Sequence, residues 1–291
     1  VRASAADVER TGLCGLTWGR RSSLPCPVKR MSMKSPFQAS VTINALLLAF
    51  LPVLAQAAGP AYVKTTVIRA PEANQAAAAD ERFVYAVDNA VVGKYDRGTG
   101  TLAARSTGAA KHLNSGFLWD GKLYAAHSNY PAKPERSEIK VLDPTSMALT
   151  TYKNFEENRG SLTWAVRRNG HWWCNFAHYG ADNAKTVLVK LDDEWKERGA
   201  WTYPAAVVKD LGTMSISGGL WQGDRILATG HDHRRIYRLR LPEKGSVLEL
   251  VDVIPSPFPG QGIAADPKTG GLVGIDRAKR EVVFAELRES G

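Results

Sequence analysis

The residues with the clearest chemical potential are two histidines and an aspartate in the stretch ILATGHDHRRIYRL, residues 226–239. His231, Asp232 and His233 stand between two apolar runs that are typical of β-strands. Imidazole and carboxylate groups ligate transition metals and act as general acids and bases. The same residues also suit the polar tip of a hairpin. Which role applies depends on the elements that position this tip.

Short apolar or alternating runs dominate the chain beyond residue 58, and Asp-Gly, Asn-Gly, Gly-Gly and Asp-Pro turns separate them. This pattern predicts an all-β protein whose strands are joined by tight turns. A strand-turn unit recurs five times, with its second strand at Val84, Leu123, Trp172, Ile226 and Leu272. These spacings of 39, 49, 54 and 46 residues predict a β-propeller with five blades. Six blades, with one degraded copy, are the alternative.

The fifth copy ends at EVVFAELRESG without a fourth strand. An unpaired strand edge is unfavourable, because its backbone donors and acceptors lack partners. The segment AYVKTTVIRAP, residues 61–71, belongs to no other blade and is patterned like the fourth strand of the fourth copy. We predict that this N-terminal strand of the mature chain completes the last blade and closes the ring.

Residues 31–57 have the pattern of a signal peptide: one lysine, an apolar run over residues 43–54, and Ala55-Gln56-Ala57. We expect cleavage after Ala57 and a periplasmic or secreted product. We interpret residues 1–30 as a disordered upstream extension from a start codon placed too early, and residues 58–291 as a single propeller domain. The apolar run is short and contains Pro52, so no stable membrane span is expected after cleavage.

Composition narrows the class of partner. Without residues 1–57, 31 Lys and Arg face 27 Asp and Glu, so the formal charge falls from +9 to +4. This mild charge argues against nucleic-acid binding. Cys174 is then the single cysteine, in the apolar stretch HWWCNF. We expect a buried thiol, no disulfide framework, and a monomer held together by its core.

In a propeller, the loop entering each innermost strand and the loop between the second and third strands open on one face, around the central channel. We call it the mouth face. Polar residues from all five copies are predicted to converge there and to bind a small polar molecule or a protein partner. They are Gln75, Asp88, His112, Asn114, His127, Arg159, His178, Ser217, His231, Asp232, Gln261 and Asp276. Tyr130 and Tyr179 could line a sugar or aromatic ligand.

A metal-dependent hydrolase or lyase acting on a sugar or lactone is the alternative function. A divalent metal would take imidazole and carboxylate ligands, and the catalytic candidates are His127, His178, His231, Asp232 and Asp276. These residues are scattered along the chain, so the other interpretation is that they satisfy one another by hydrogen bonding. A scaffold for protein interactions is the third function, and it requires an exposed apolar patch.

Three stretches carry a family resemblance: GFLWDGKLYAAH, GGLWQGDRILATGHD and GQGIAADPKTGGLVGIDR. These strand-turn-strand units resemble the exported bacterial β-propellers of the SMP-30/gluconolactonase and NHL or YVTN types. The resemblance implies a lactonase-like activity with a divalent cation, held by a Glu that enters the first innermost strand and by Asn and Asp ligands. At the matching place this chain has Gln75, and Glu72 lies three residues earlier.

Overall fold

The structure, a computed structural model, describes residues 59–156 and 159–289. The predicted segments 1–30 and 31–57 lie outside these residues. The described chain forms five separate antiparallel sheets of four strands each, so the predicted all-β, five-bladed propeller is confirmed. The strands in chain order are β1 (Ala61–Arg69), β2 (Ala76–Ala79), β3 (Phe83–Val87), β4 (Val92–Asp96), β5 (Leu102–Arg105), β6 (His112–Trp119), β7 (Lys122–Ser128), β8 (Ser137–Leu142), β9 (Leu149–Phe155), β10 (Ser161–Arg168), β11 (His171–Ala177), β12 (Val187–Leu191), β13 (Glu197–Thr202), β14 (Gly218–Gln222), β15 (Arg225–Thr229), β16 (Arg235–Arg240), β17 (Glu249–Pro255), β18 (Ala264–Ala265), β19 (Leu272–Asp276) and β20 (Glu281–Arg288).

Four blades are consecutive runs of the chain, and the fifth joins its two ends. Blades 1 to 4 contain β2–β5, β6–β9, β10–β13 and β14–β17, each with its first strand innermost. Blade 5 has the order β18, β19, β20, β1. Strand β1 pairs antiparallel with β20, from Ala61 opposite Arg288 to Arg69 opposite Glu281. The predicted closure of the ring by the N-terminal strand is therefore confirmed.

Two-residue turns join first and second strands where the sequence predicts hairpins. In blade 2, Asp120 and Gly121 have φ values of 48° and 70°, and in blade 3, Asn169 and Gly170 have 50° and 72°. Positive φ at both central residues is the geometry of a type I′ turn, which matches the twist of the strands it joins. These turns lie on the side opposite the mouth face, which we call the turn face.

The hydrophobic core lies between neighbouring blades. One cluster contains Tyr124 of blade 2 with Trp172 and Phe176 of blade 3, and another contains Trp164 of blade 3 with Tyr237 of blade 4. Comparable clusters join blades 4 and 5 and blades 5, 1 and 2. Each large aromatic side chain removes roughly 150–250 Å² from water, so these interfaces bind each blade to the next. Cys174 is a buried free thiol, as predicted.

Two short helical segments were not predicted. Helix α1 spans Ala205–Leu211 between blades 3 and 4, and a 3₁₀ helix spans Gly180–Lys185 between β11 and β12. Helix α1 ends at Gly212, whose φ is 63°. Seven residues make less than two turns, too few for a helical periodicity to be recognised. In the part of the chain that the structure describes, neither segment is long and apolar enough to cross a membrane.

Candidate functional site

The central channel is closed just below the mouth face. Gly262, in the loop that enters blade 5, lies against blades 1 and 2: a Cβ on it would be 2.6 Å from the Cβ atoms of Ala76 and Ser115. Blades 5 and 2 are not neighbours in the ring, so this contact reaches across the axis. The mouth face is therefore a surface with a floor and not the opening of a through-channel.

Hydrogen bonds between the innermost strands form this floor. The Ser115 hydroxyl donates to the carbonyl of Thr163 at 2.7 Å, and the Thr163 hydroxyl donates to the carbonyl of Ile216 at 2.8 Å. The backbone N–H of Gly262 donates to the carbonyl of Gln75 at 2.9 Å. These bonds connect blade 2 to 3, blade 3 to 4 and blade 5 to 1. Buried polar groups near the axis are thus satisfied by the adjacent blade.

Four predicted ligand-binding residues belong to the floor: Gln75, Asn114, Ser217 and Gln261 are buried. The Asn114 amide donates to the Leu162 carbonyl at 3.0 Å, and the Gln261 amide donates to the His231 carbonyl at 3.1 Å. The structure thus shows these amides joining neighbouring segments of the ring. Contact of the four residues with a ligand stays a prediction.

Asp88, a further residue of the set, lies with Gln75 at the first blade's edge of the mouth. Gln75 donates from its amide to Asn89 Oδ1 at 2.7 Å. Asp88 accepts from the Asn74 amide at 2.7 Å and from the Asn89 backbone N–H at 2.8 Å. The Asp88 carboxylate and the Gln75 amide are therefore both hydrogen-bonded within blade 1, and they fix the conformation of residues 88–91.

His127 is buried in blade 2, away from the other histidines of the predicted metal set. Its Nε2 accepts the backbone N–H of Lys111 at 3.0 Å, and its Nδ1 lies 3.2 Å from Glu138 Oε2. Burial, together with the charge of Lys140, lowers the pKa of His127 to about 4 in spite of Glu138. His127 is therefore a neutral core group at neutral pH.

The remaining members of the predicted catalytic set are also separated. His178 Nε2 lies 2.9 Å from the carbonyl oxygen of Arg159, and the Arg159 guanidinium pairs with Glu197. Asp276 is buried and pairs with Arg234 at 3.1 Å. Within residues 59–156 and 159–289, no three His, Cys, Asp or Glu side chains are grouped as metal ligands. The structure therefore gives the predicted divalent-metal site no assembled ligand set.

The structure does assemble one cluster at the mouth, which we call the Arg277 cluster. It consists of His112, Tyr130, Tyr179, His231, Asp232 and Arg277. Its members come from blades 2, 3, 4 and 5, each from an end of a strand or from the adjoining loop. The His-Asp-His stretch is thus a hairpin tip between β15 and β16, and it contributes His231 and Asp232 to this cluster.

A chain of three side chains holds the guanidinium. His231 Nε2 lies 3.1 Å from Arg277 Nη1, and because a guanidinium can only donate, Nε2 must be the acceptor. The ring proton then resides on Nδ1, which lies 2.7 Å from Asp232 Oδ1 in a close but poorly aligned contact. Asp232 and His231 thus orient Arg277, whose other N–H groups have no hydrogen-bond partner among residues 59–156 and 159–289.

Aromatic rings form the other wall of the cluster. The Tyr130 ring lies 5.4 Å from that of His112 and 5.1 Å from that of Tyr179, centroid to centroid. Burial and the nearby charge of Arg277 lower the pKa of His112, and burial raises the pKa of Tyr179 to about 12. Both groups are therefore uncharged at neutral pH, beside a permanent cation.

Arg277 was not among the site residues predicted from the sequence. Among the residues that the structure describes, no carboxylate lies within 4.0 Å of its guanidinium, whereas Arg234 nearby is neutralised by Asp276. The sequence marks the strand end Asp276-Arg277 as polar. In the structure Asp276 is buried, whereas Arg277 is partly exposed.

Comparison with known proteins supports the fold. No protein-family model matches the chain, and no curated protein matches it in sequence. The glutaminyl cyclase of Myxococcus xanthus is similar in structure, with a TM-score of 0.57 and 10% identity over 81% of this chain and 100% of that chain. A chain of the mitotic checkpoint complex has a TM-score of 0.45 and 10% identity over 90% of this chain and 99% of that chain. The SMP-30 and NHL resemblance stays a prediction.

Proposed function

We propose that this protein is an exported β-propeller that binds a small organic anion at the Arg277 cluster on the mouth face. The observation that carries the proposal is the Arg277 guanidinium, held by His231 and facing no carboxylate within 4.0 Å among the described residues. An arginine fork recognises carboxylate or phosphate through paired, charge-assisted hydrogen bonds. A site with an oriented and otherwise unneutralised guanidinium favours such a ligand over a neutral one.

The tyrosine rings of the cluster narrow the chemical class of the expected ligand. Tyr130 is 43% exposed, and its ring together with that of Tyr179 offers an apolar face beside the cation. Tyrosine combines such a face with a hydroxyl that can donate and accept hydrogen bonds. A sugar acid or hydroxy acid has the matching parts: a carboxylate for Arg277, C–H faces for the rings, and hydroxyls for the tyrosines. We therefore expect ligands of this class.

The geometry favours binding over the hydrolase alternative. The Asp232–His231 pair resembles a positioned general base, in which a carboxylate orients the imidazole. The atom that would take the proton is Nε2, and it already accepts from Arg277. The other predicted catalytic residues, His127, His178 and Asp276, have separate partners in the structure.

The decisive experiment tests whether binding depends on the charge of the ligand and on the Arg277 guanidinium. Glucuronate and neutral glucose would be titrated calorimetrically into the full chain and into two variants, Arg277→Gln and the control Arg69→Gln, an exposed arginine on β1. We expect saturable binding of glucuronate, at least tenfold weaker binding by R277Q, and no change in R69Q. Equal binding of glucose and glucuronate, or undiminished binding by R277Q, would overturn the proposal.

Export is tested separately, by N-terminal sequencing of protein recovered from the periplasm or medium. We expect the mature chain to begin at Ala58, because Ala55 and Ala57 occupy the small-residue positions that signal peptidase requires. Recovery of a chain that still carries residues 1–30 would contradict both the predicted cleavage and the predicted upstream start. Anion binding at the mouth face does not depend on this result.

A further inference from the structure

A cavity lies at the end of the ring axis opposite the Arg277 cluster, on the turn face. It has a volume of about 390 Å³, and its walls come from the innermost strands of all five blades and the turns that follow them. Residues from each blade contribute to it: Ala78, Ala79, Phe117, Leu118, Val166, Arg168, Leu220, Trp221, Ile263 and Ala265. A concave, mostly apolar space of this size is typical of small-molecule sites.

Small side chains on two blades leave this space open. Ala78 and Ala79 end the innermost strand of blade 1, and Ala264 and Ala265 form that of blade 5. Larger apolar side chains, such as Phe117 of blade 2 and Leu220 of blade 4, also line the cavity. The combination produces an apolar pocket open to solvent at one end. The floor at Gly262 separates it from the Arg277 cluster.

One cation at the pocket is not neutralised. Arg167 pairs with Asp193 at 2.6 Å. The adjacent Arg168 has no carboxylate within 4.0 Å among the residues described; its Nη2 donates to the Gly223 carbonyl at 2.6 Å. The Arg168 guanidinium also lies 4.0 Å from the centroid of the Trp221 ring, a cation–π contact that fixes its position. The remaining guanidinium N–H groups can bind an anion.

A buried donor lies in the same wall. Trp221 lines the pocket, and its indole Nε1 is buried without an acceptor in the described part of the chain. An unsatisfied buried N–H is unfavourable. Because this nitrogen is also inaccessible to solvent, the Arg168 guanidinium, and not the indole, is the donor that the cavity presents to a ligand.

We propose that the turn-face cavity binds a small carboxylic acid with an apolar body. Its carboxylate is held by Arg168, and its hydrocarbon part lies against Phe117, Leu118 and Leu220. The Arg277 cluster offers tyrosines and histidines beside its cation, whereas this cavity offers aliphatic and aromatic walls. The two sites therefore select different anions, and this inference does not rest on the proposed function of the mouth face.

The test uses octanoate as the probe and 1-octanol as its neutral counterpart, titrated into the full chain. We expect octanoate to bind with one-to-one stoichiometry, and Arg168→Gln to weaken it at least tenfold while 1-octanol binding changes little. Arg69→Gln, which changes an exposed arginine on β1, serves as the matched control and should bind octanoate like the unchanged protein. Glucuronate binding by R168Q should stay unchanged, and this measurement separates the two sites, whichever of them fails.

A second variant fills the cavity without altering charge. Ala265 lines the pocket and is exposed, so Ala265→Phe should occupy the opening while the melting temperature stays close to that of the unchanged protein. Octanoate binding should then fall at least tenfold. The proposal is overturned if the unchanged protein does not bind octanoate at millimolar concentration, if R168Q binds it equally well, or if a normally folded A265F retains full affinity.

Discussion

At the scale of single residues, the surroundings decide what each polar group does. His127 and His231 are both histidines at the mouth-facing end of a second strand. His127 is buried against Lys111 and Glu138 and is held neutral. His231 remains partly exposed and positions Arg277. The first residue supports the fold, and the second belongs to the proposed binding site.

The environment of His127 predicts a pH dependence of stability. Its folded-state pKa of about 4 lies below the ordinary value of about 6.5 for an unfolded chain. Between these two values the unfolded chain binds more protons, so the free energy of unfolding must decrease as pH falls through this window. The loss attributable to His127 should be on the order of 3 kcal/mol.

The measurement is urea unfolding of the unchanged protein and of His127→Gln at several values between pH 7 and pH 4. Glutamine keeps an acceptor that can bind the Lys111 N–H but does not titrate. The variant should therefore lose less stability across the window. Parallel pH profiles for the two proteins would show that His127 titrates normally.

Part of the candidate site could be predicted from single residues. The rest could not, because it depends on the register of the strands. Polar strand ends converging on one face were foreseen, including His112, His231 and Asp232. The choice between Asp276 and Arg277 was not foreseeable, because neighbouring residues at a strand end point to opposite sides. Only the pairing of β19 in its sheet determines that the aspartate is buried and the arginine is not.

At the scale of elements, β1 was predictable because the fifth repeat lacked a strand. Its burial pattern shows how it is held: Tyr62 and Ile68 are buried, and the five residues from Val63 to Val67 are exposed. The Tyr62 hydroxyl also donates to Gln222 of blade 4 at 3.3 Å. Helix α1 was missed because less than two turns carry no detectable period.

Replacing both buried residues of β1 tests its role as the closing strand. The double variant Tyr62→Ser, Ile68→Ser should lose about 4 kcal/mol or more of unfolding free energy, since large buried side chains each contribute about 2–5 kcal/mol. The control is Lys64→Ser, Thr65→Ser, which changes two exposed residues of the same strand and should alter stability by less than about 1 kcal/mol. Equal melting temperatures for the two variants would contradict closure through β1.

At the scale of the whole molecule, an ion pair on the turn face joins the first and last blades. Arg97 of blade 1 donates two hydrogen bonds to Asp266 of blade 5, at 2.7 and 2.6 Å. Asp266 is only 1% exposed. Burial alone would raise the pKa of Asp266, but hydrogen bonds from Arg97, Thr269 and the Lys268 backbone outweigh it and hold the pKa below its usual value.

Breaking this pair should weaken the ring. Asp266→Asn leaves Arg97 without its charged partner, and removal of one member of a buried pair costs about 3–5 kcal/mol. Because the folded-state pKa is lowered, the carboxylate stabilises the fold above the unfolded value near 4, and this contribution is lost as pH falls further. Unfolding at pH 7 and pH 3 should therefore show a larger difference from the unchanged protein at pH 7 than at pH 3.

Asp224→Asn provides the comparison, because Asp224 lies on the same face, is 88% exposed and is 3.9 Å from Arg225. It should change stability by less than about 1 kcal/mol at either pH. A similarly small effect of D266N at pH 7 would show that the pair does not hold blades 1 and 5 together.

The repeat spacing predicted the number of blades, but it did not predict that the central channel is closed. Closure at Gly262 depends on three blades meeting within van der Waals distance, and the cavity on the turn face depends on which ends of the innermost strands carry alanines. Both properties arise from the diameter of the ring, and no local sequence pattern reports it.

The pairing of β1 with β20 also sets the order in which the protein can be completed. Strand β1 leaves the ribosome first among the described strands, and its partner leaves last. While the residues between β1 and β20 are being synthesised, β1 has no sheet to join. Its backbone edge therefore stays available to other chains. The protein therefore has a vulnerable interval whose length is set by its own synthesis. Growth conditions that slow elongation should lengthen this interval and increase dependence on chaperones.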